Sequence, residues 1–150
     1  MTKAEFVQKA YAAALESSKK SGMPPLVTVA QAALESGWGL SRLSQQANNY
    51  FGIKACGSHN CIEMATDECK AGKRVEVEAA FARYASMGDC FRCRDRILAH
   101  SATYASARAV REDELAFVRE IARHWATDPM YAAKLSEVVS EVRELLKGHV

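Results

Sequence analysis

The sequence predicts one mostly helical α+β domain that carries a small inserted β-hairpin lobe. Apolar residues recur at helical spacing near both ends of the 150-residue chain, whereas two alternating runs lie in its middle. About half of the residues are apolar, which is enough for one core and too little chain for two domains. No internal repeat, low-complexity segment or linker interrupts the chain, so residues 1–150 are expected to form a single domain.

Three helices are predicted in the first third of the chain. Thr2 and Glu5 form a capping box that starts the first helix, and Gly22 is a natural stop. Pro25 suits the first position of the second helix, and Gly37 follows its end. This second helix is almost entirely apolar and should be buried nearly all round. The predicted bounds are 2–21, 25–35 and, for a short third helix, 40–46.

The β-hairpin lobe is predicted within residues 51–84. Alternating runs at 62–68 and 74–78 flank a turn at 70–73, as expected for two antiparallel strands. Period-two geometry places Ile62, Met64, Thr66 and Glu68 on one face of the first strand. Such a lobe can close over a groove and bring Glu68 towards Glu35. Solvent-facing strand positions are expected for Glu63, Asp67, Glu76 and Glu78.

Two further helices are predicted near the C-terminus. Glu112 and Asp113 are capping residues for the first of them. Asp128 and Pro129 restart a final helix that should end near Lys147, before a glycine. The apolar residues that recur at helical spacing in the first are Leu115, Val118, Ile121, Ala122 and Trp125.

Charge and hydropathy exclude several classes of protein. The net charge of +2 is nearly neutral, and arginines alternate with acidic residues, so a dedicated nucleic-acid binder is not expected. No stretch approaches the roughly 20 apolar residues that span a bilayer, so no membrane insertion is expected. The first 15 residues contain too many polar positions for a signal peptide. We therefore expect a protein made in the cytoplasm that leaves it without a cleaved signal.

Five cysteines are many for a cytosolic enzyme and favour an oxidising destination. Two disulfides and one free thiol are the simplest arrangement, although spacing cannot fix the pairing. The simplest pairs join Cys56 to Cys61, and Cys69 to Cys90 or Cys93. A zinc site formed by Cys56, Cys61, Cys90 and Cys93, with or without His59, is the less favoured alternative. A third possible arrangement is that the cysteines are unpaired buried thiols.

Glu35 is the candidate catalytic residue, at the end of the apolar second helix. A carboxylate there meets the negative end of the helix dipole and loses water to apolar neighbours. Both effects raise its pKa, so the group can donate a proton to a leaving oxygen near neutral pH. Trp38 beside it offers a flat apolar wall of the kind on which a sugar ring stacks. An ordinary solvent-facing Glu is less favoured because Gly37, Trp38 and Gly39 crowd the carboxylate.

Five segments, in order, resemble the motifs of glycoside hydrolase family 73. They are QAALESGWG at 31–39, NNYFGIK at 48–54, TDE at 66–68, FARY at 81–84 and ATDPMYAAKL at 126–135. The resemblance implies a lysozyme-like α+β fold. It also implies hydrolysis of the β-1,4 bond after N-acetylglucosamine in the glycan strands of peptidoglycan.

The resemblance assigns roles to individual residues. It makes Glu35 the general acid, Glu68 the second carboxylate and Tyr131 the tyrosine near the reaction centre. It places Trp38, Asn49, Phe51 and Tyr84 in the substrate groove. Competing interpretations stay open, since Phe51 and Tyr84 can be core residues, Asn49 a turn-capping amide, and Tyr131 a packing contact.

The expected partner is the peptidoglycan glycan strand, cut by a monomer that needs no metal or cofactor. A muramidase that cuts the other β-1,4 bond and a non-catalytic peptidoglycan-binding or assembly module are the alternatives. Action in the periplasm or cell wall suits an antibacterial effector exported by a dedicated machine, or a phage endolysin. An effector would require a periplasmic immunity protein that occludes the groove.

Overall fold

The structure, a computed structural model, describes residues 1–55 and 60–148. Seven helices and one hairpin make up this part of the chain, and a short 3₁₀ turn at Ala102–Tyr104 precedes the fifth helix. The helices are α1 (Lys3–Ser21), α2 (Pro25–Ser36), α3 (Arg42–Ala47), α4 (Met87–His100), α5 (Ala105–Ala109), α6 (Glu114–Trp125) and α7 (Tyr131–Lys147). The strands are β1 (Cys61–Lys70) and β2 (Lys73–Ala82).

The helix ends follow the local signals in the sequence. The Oγ1 atom of Thr2 accepts a hydrogen bond of 3.1 Å from the backbone N–H of Glu5, which starts α1. Gly22 and Gly37 end α1 and α2 with φ angles of 73° and 58°, in the left-handed region that glycine adopts without a steric penalty. Pro25 opens α2 at its first turn. The predicted bounds of both helices are confirmed to within one residue.

The core is built around α2, which packs against α1 and α7, while α1 also packs against α4. Eight residues of α2 are buried, including the polar side chains of Thr28 and Gln31. The prediction of a nearly all-round buried helix is therefore confirmed. Because α2 runs through the core, the position of Glu35 in its last turn is fixed by packing on both sides.

The hairpin lobe has the predicted turn and face. Ala71 and Gly72 form its two-residue connection with φ angles of 52° and 76°, as a type I′ turn requires. Alternate β1 residues are partly buried and the intervening ones are exposed. The partly buried face consists of Ile62, Met64, Thr66 and Glu68, and the acidic positions predicted to face solvent are exposed: Glu63, Asp67, Glu76 and Glu78.

Backbone bonds attach the lobe to the helical body. The N–H of Ala82 donates to the carbonyl of Ile53 at 3.0 Å, and the N–H of Ala55 donates to the carbonyl of Ala80 at 2.9 Å. Lys54 forms an isolated antiparallel bridge with Phe81. The segment 53–55 is thus held alongside β2, which places Lys54 next to the lobe.

The C-terminal helices follow the prediction in part. Asp113 caps α6 through its side chain, and α7 ends at Lys147 as expected. Leu115, however, is 51% exposed, so it does not belong to the buried stripe of α6. Phe117 takes its place beside Val118 and Ile121. The 3₁₀ turn and α5 were not predicted. No helix among the described residues is long and apolar enough to cross a membrane.

The predicted bridge between Cys69 and Cys90 or Cys93 is wrong. Among the described residues, Cys69, Cys90 and Cys93 are free thiols. Cys69 is exposed beside the hairpin turn, whereas Cys90 is fully buried in α4, where burial raises the pKa of its thiol to about 12. The other predicted bridge, Cys56 to Cys61, lies outside the described residues at Cys56, as does the zinc alternative at Cys56 and His59.

Candidate active site

Glu35 occupies the last turn of α2, at the protein surface. Its Oε1 atom accepts a hydrogen bond of 2.6 Å from the hydroxyl of Tyr131. Desolvation by the surrounding protein raises the pKa of Glu35, and the Tyr131 hydrogen bond partly opposes that rise. The predicted direction of the pKa shift is confirmed. The residue is thus accessible to a substrate, while its carboxyl group is biased towards the protonated form.

Tyr131 is placed by the turn that starts α7. Its backbone N–H donates to the carbonyl of Asp128 at 3.1 Å, and the Asp128 carboxylate accepts from the N–H of Met130 at 2.9 Å. The Tyr131 side chain is only 5% exposed, and burial together with the Glu35 carboxylate raises the pKa of its phenol. Its hydroxyl also accepts a hydrogen bond of 3.3 Å from Nε2 of Gln31. The structure therefore brings Glu35 and Tyr131 together, although 96 residues separate them.

A buried charge lies behind this pair and was missed in the sequence. Arg94 is completely buried, and its Nε and Nη2 atoms donate to Oε1 of Gln31 at 3.0 and 2.8 Å. Asp95 accepts from Nη1 of Arg94 at 2.9 Å. The signal available in the sequence was helical spacing, since Phe91, Arg94, Asp95 and Leu98 all lie on the buried face of α4.

Glu68 lies on the partly buried face of β1, opposite Val75 in the hairpin register. Its Oε1 atom accepts a hydrogen bond of 2.9 Å from Nζ of Lys54. Lys54 was not singled out in the sequence, although it belongs to one of the five motifs. A catalytic role for Glu68 stays a prediction.

The structure corrects the predicted groove positions of Asn49 and Phe51. Asn49 is 1% exposed, and its Nδ2 donates to the carbonyls of Ile53 and Ala82 at 2.8 and 2.9 Å. Its Oδ1 accepts from the N–H groups of Phe51 and Ile53 at 3.3 and 3.1 Å. Every polar group of this side chain is used within the protein, so Asn49 ties the lobe to the body and does not face a substrate.

Phe51, like Asn49, is buried, and it is a core residue. It is 2% exposed, and its ring lies 5.3 Å from that of Phe91 and 6.2 Å from that of Trp125. The guanidinium carbon of Arg94 lies 5.5 Å from the centre of the Phe51 ring, within range of a cation–π contact. Phe51 therefore packs beneath the site and helps to enclose Arg94.

Trp38 and Tyr84 remain partly exposed and stay candidates for substrate contact. The Trp38 and Phe6 rings form a T-shaped pair with centroids 6.2 Å apart, and Nζ of Lys3 lies 4.6 Å from the centre of the Trp38 ring. Because Lys3 occupies one face of the Trp38 ring, at most the opposite face is open for a sugar ring to stack on. The hydroxyl of Tyr84 donates to Sγ of Cys93 at 3.1 Å, and burial is the main cause of a raised Tyr84 pKa.

Other features of the surface do not belong to this site. A cavity of about 770 Å³ lies between the end of α1 and α4, and Lys19, Arg92, Arg96 and His100 are among its lining residues. Within residues 1–55 and 60–148, no group of three or more His, Cys, Asp or Glu side chains could hold a metal ion.

Comparison with known proteins places this chain in a family. A family model described as glucosaminidase, mannosyl-glycoprotein endo-beta-N-acetylglucosaminidase, matches residues 11–144. The chain is 33% identical over 122 residues to exo-glucosaminidase LytG of Bacillus subtilis (strain 168), covering 78% of this chain and 43% of that protein. It is 30% identical over 147 residues to peptidoglycan hydrolase FlgJ of Salmonella typhimurium, covering 94% of this chain and 46% of that protein.

A solved structure extends the likeness to three dimensions. The crystal structure of a peptidoglycan hydrolase mutant from Sphingomonas sp. A1 superposes with a TM-score of 0.85 at 32% identity, covering 97% of this chain and 99% of that one. The predicted lysozyme-like α+β fold is confirmed. The chain spans less than half the length of the two curated relatives above. The chain belongs to the glucosaminidase family of glycoside hydrolases.

Proposed function

We propose that this chain hydrolyses peptidoglycan at the β-1,4 bond between N-acetylglucosamine and N-acetylmuramic acid, with Glu35 as the general acid. The observation that carries the proposal is the hydrogen bond of 2.6 Å from Tyr131 to the Glu35 carboxyl group, which is accessible at the surface and whose pKa is raised by partial desolvation. The names of the relatives, a glucosaminidase and two peptidoglycan hydrolases, support the choice of bond and substrate.

In the proposed reaction, Glu35 protonates the glycosidic oxygen as the bond to the sugar carbon breaks. Positive charge then develops on the sugar, and a second group must act at its opposite face. Glu68 is the proposed second group, which either activates water or orients the substrate's acetamido group. Carboxyl groups roughly 5 to 5.5 Å apart suit a covalent retaining route, and roughly 6.5 to 9.5 Å leaves room for an inverting water. Tyr131 supports Glu35 and, in the acetamido route, the substrate.

Replacement of Glu35 tests the proposal directly. Glu35→Gln keeps the size of the side chain and removes the acid, so it should abolish release of reducing sugar from purified peptidoglycan while the far-UV circular dichroism spectrum stays unchanged. Loss of a general acid typically costs about 10²- to 10⁴-fold in rate. Glu63→Gln, on the exposed face of β1, is the matched control and should keep wild-type activity. Full activity in Glu35→Gln would sink the assignment.

Two further measurements separate the finer alternatives. Glu68→Ala should be as damaging as loss of Glu35 if Glu68 is the base, and less damaging if the acetamido route operates. Mass spectrometry of the digest identifies the sugar at the new reducing end. N-acetylglucosamine there supports the proposed bond, and N-acetylmuramic acid indicates the muramidase alternative. Binding without any new reducing end would indicate a peptidoglycan-binding or assembly module.

We also propose action in the periplasm or cell wall, reached by specialised export of an antibacterial effector or by phage lysis. The relatives' names as peptidoglycan hydrolases support this site of action. Fusion to a periplasmic signal should make the chain lyse a Gram-negative host, whereas the unfused chain should not. An immunity protein that occludes the groove is the partner proposed for the effector role. Its co-expression in the periplasm should prevent that lysis, and an endolysin would have no such partner.

A further inference from the structure

A polar chain crosses the core from Arg94 to the candidate acid. Arg94 and Gln31 are both completely buried. Two guanidinium donors of Arg94 contact Oε1 of Gln31, Nε2 of Gln31 contacts the Tyr131 hydroxyl at 3.3 Å, and that hydroxyl contacts Glu35 at 2.6 Å. These residues come from α4, α2 and α7, so three separate helices supply one continuous path.

The chemistry of the guanidinium group sets the direction of every bond along this path. Arginine has donors and no acceptor, so the amide group that faces it must present its oxygen. The nitrogen of Gln31 then faces Tyr131 and can only donate to it. With a lone pair of its hydroxyl engaged by Gln31, Tyr131 directs its own hydrogen to Oε1 of Glu35. Oε2 is then the carboxyl oxygen that does not accept from Tyr131.

The remaining contacts of Arg94 satisfy its charge. Its Nη1 atom donates to Oγ1 of Thr28 at 2.8 Å and to Oδ1 of Asp95 at 2.9 Å. Asp95 in turn accepts from the hydroxyls of Ser17 and Ser21 at 2.6 and 2.8 Å. Among the described residues, no buried side-chain nitrogen or oxygen lacks a hydrogen-bond partner. Buried ion pairs are nevertheless often no more stabilising than apolar residues of the same volume, so stability alone is a weak reason for this arginine.

We propose that Arg94 and Gln31 are positioning residues that fix the direction of the Tyr131 hydrogen bond and thereby assign the transferable proton of Glu35 to Oε2. This inference rests on the proposed function, in which Glu35 is the general acid. Arg94 does not touch the substrate. It acts through Gln31 and Tyr131, and its effect is to keep one carboxyl oxygen as a permanent acceptor and the other as the donor.

Gln31→Glu changes the direction of the Tyr131 hydrogen bond while keeping the size and shape of the side chain at position 31. The new carboxylate still accepts from Arg94, but its second oxygen now accepts from Tyr131, so the tyrosine hydrogen turns away from Glu35. Without that donor, the pKa of Glu35 rises. On soluble glycan-strand fragments, the alkaline limb of kcat/KM should move to higher pH, and kcat at the optimum should fall about 10- to 100-fold because the acid is no longer held in place.

A charge-neutral variant separates the direction of the bond from the added charge of Gln31→Glu. The double replacement Arg94→Met with Asp95→Asn removes both buried charges, so the Gln31 amide is free to present its oxygen to Tyr131. The same upward movement of the alkaline limb is expected. The single replacement Arg94→Lys should leave the alkaline limb of kcat/KM at its wild-type pH, since lysine also only donates hydrogen bonds. This set keeps the test available if Gln31→Glu does not fold.

Thr28→Val is the matched control, because it removes one contact of the same guanidinium outside the path to Tyr131. It should lower stability without moving the alkaline limb. The inference is overturned if the limb stays at the wild-type pH in Gln31→Glu and in the double variant, with activity reduced only in proportion to the folded fraction. An active Glu35→Gln enzyme would instead contradict the proposed function itself, so the two failures are distinguishable.

Discussion

Tyr131→Phe removes one oxygen atom from the centre of the candidate site. The ring stays in place, since it is buried with only 5% of its surface exposed and phenylalanine has the same shape. Two hydrogen bonds disappear: the donor to Oε1 of Glu35 at 2.6 Å and the acceptor for Nε2 of Gln31 at 3.3 Å. The first loss acts on the chemistry and the second on stability, so the variant has two measurable effects.

The loss at Gln31 can be estimated from its geometry. Gln31 is completely buried, and a buried donor left without a partner costs about 1–3 kcal/mol. The bond of 3.3 Å is long, which favours the lower end of that range. An expected loss of about 1 kcal/mol corresponds to a decrease in Tm of about 2–4 °C for a chain of this size.

The loss at Glu35 has a definite sign. The Tyr131 hydrogen bond stabilises the carboxylate and lowers the pKa of Glu35, against the larger raising effect of burial. Its removal leaves burial unopposed, so the pKa of Glu35 rises further. The alkaline limb of kcat/KM should therefore move to higher pH, and kcat should fall about 10- to 100-fold because Glu35 is less well positioned.

The assay is the pH dependence of kcat/KM on soluble glycan fragments, with thermal unfolding followed by circular dichroism on the same samples. Tyr11→Phe, which alters a partly buried tyrosine of α1 outside the site, is the control and should leave both measurements unchanged. A limb that stays fixed or moves to lower pH would refute the role given to the Tyr131–Glu35 hydrogen bond.

Two further predictions follow from the site and the lobe. Because the folded-state pKa of Glu35 lies above its ordinary value of 4.5, the folded state loses stability as pH rises through that folded pKa. Glu35→Gln should therefore have a higher Tm than wild type at pH 8 and the same Tm at pH 4; a lower Tm at pH 8 would contradict this sign. Asn49→Ala should lower the free energy of unfolding in urea by about 2–4 kcal/mol, because it deletes four hydrogen bonds of a buried amide. Gln45→Ala, at an exposed position of α3, is its control, and equal losses in the two variants would show that Asn49 does not tie the lobe to the body.

Local signals were sufficient wherever the determining contacts lie within a few residues. Thr2, Gly22, Pro25 and Gly37 set helix ends through their own backbone preferences, and these are properties of single residues. The partly buried face of the hairpin follows from period-two alternation, and its turn from the Ala71–Gly72 pair. The direction of the Glu35 pKa shift was also predicted, and desolvation by burial is its main cause.

Predictions failed where burial depends on distant segments. Asn49 and Phe51 have the residue types of a substrate groove, but the lobe and α4 close over them and occupy their polar groups and faces. The sequence allowed a disulfide between Cys69 and Cys90. In the structure, Cys69 lies beside the hairpin turn and Cys90 is buried in α4. No spacing rule contains that information, since it arises only from how the lobe sits on the helical body.

The sequence by itself determined the family, the helical body with its hairpin, and the carboxyl group that ends the apolar helix. Only the tertiary structure decided what surrounds that carboxyl group. The path from Arg94 through Gln31 and Tyr131 to Glu35 joins residues 63 to 100 positions apart, on three helices. Side chains so far apart in the chain meet only when α2, α4 and α7 pack, because hydrogen bonds of about 3 Å require the helices to be placed to within a fraction of an ångström.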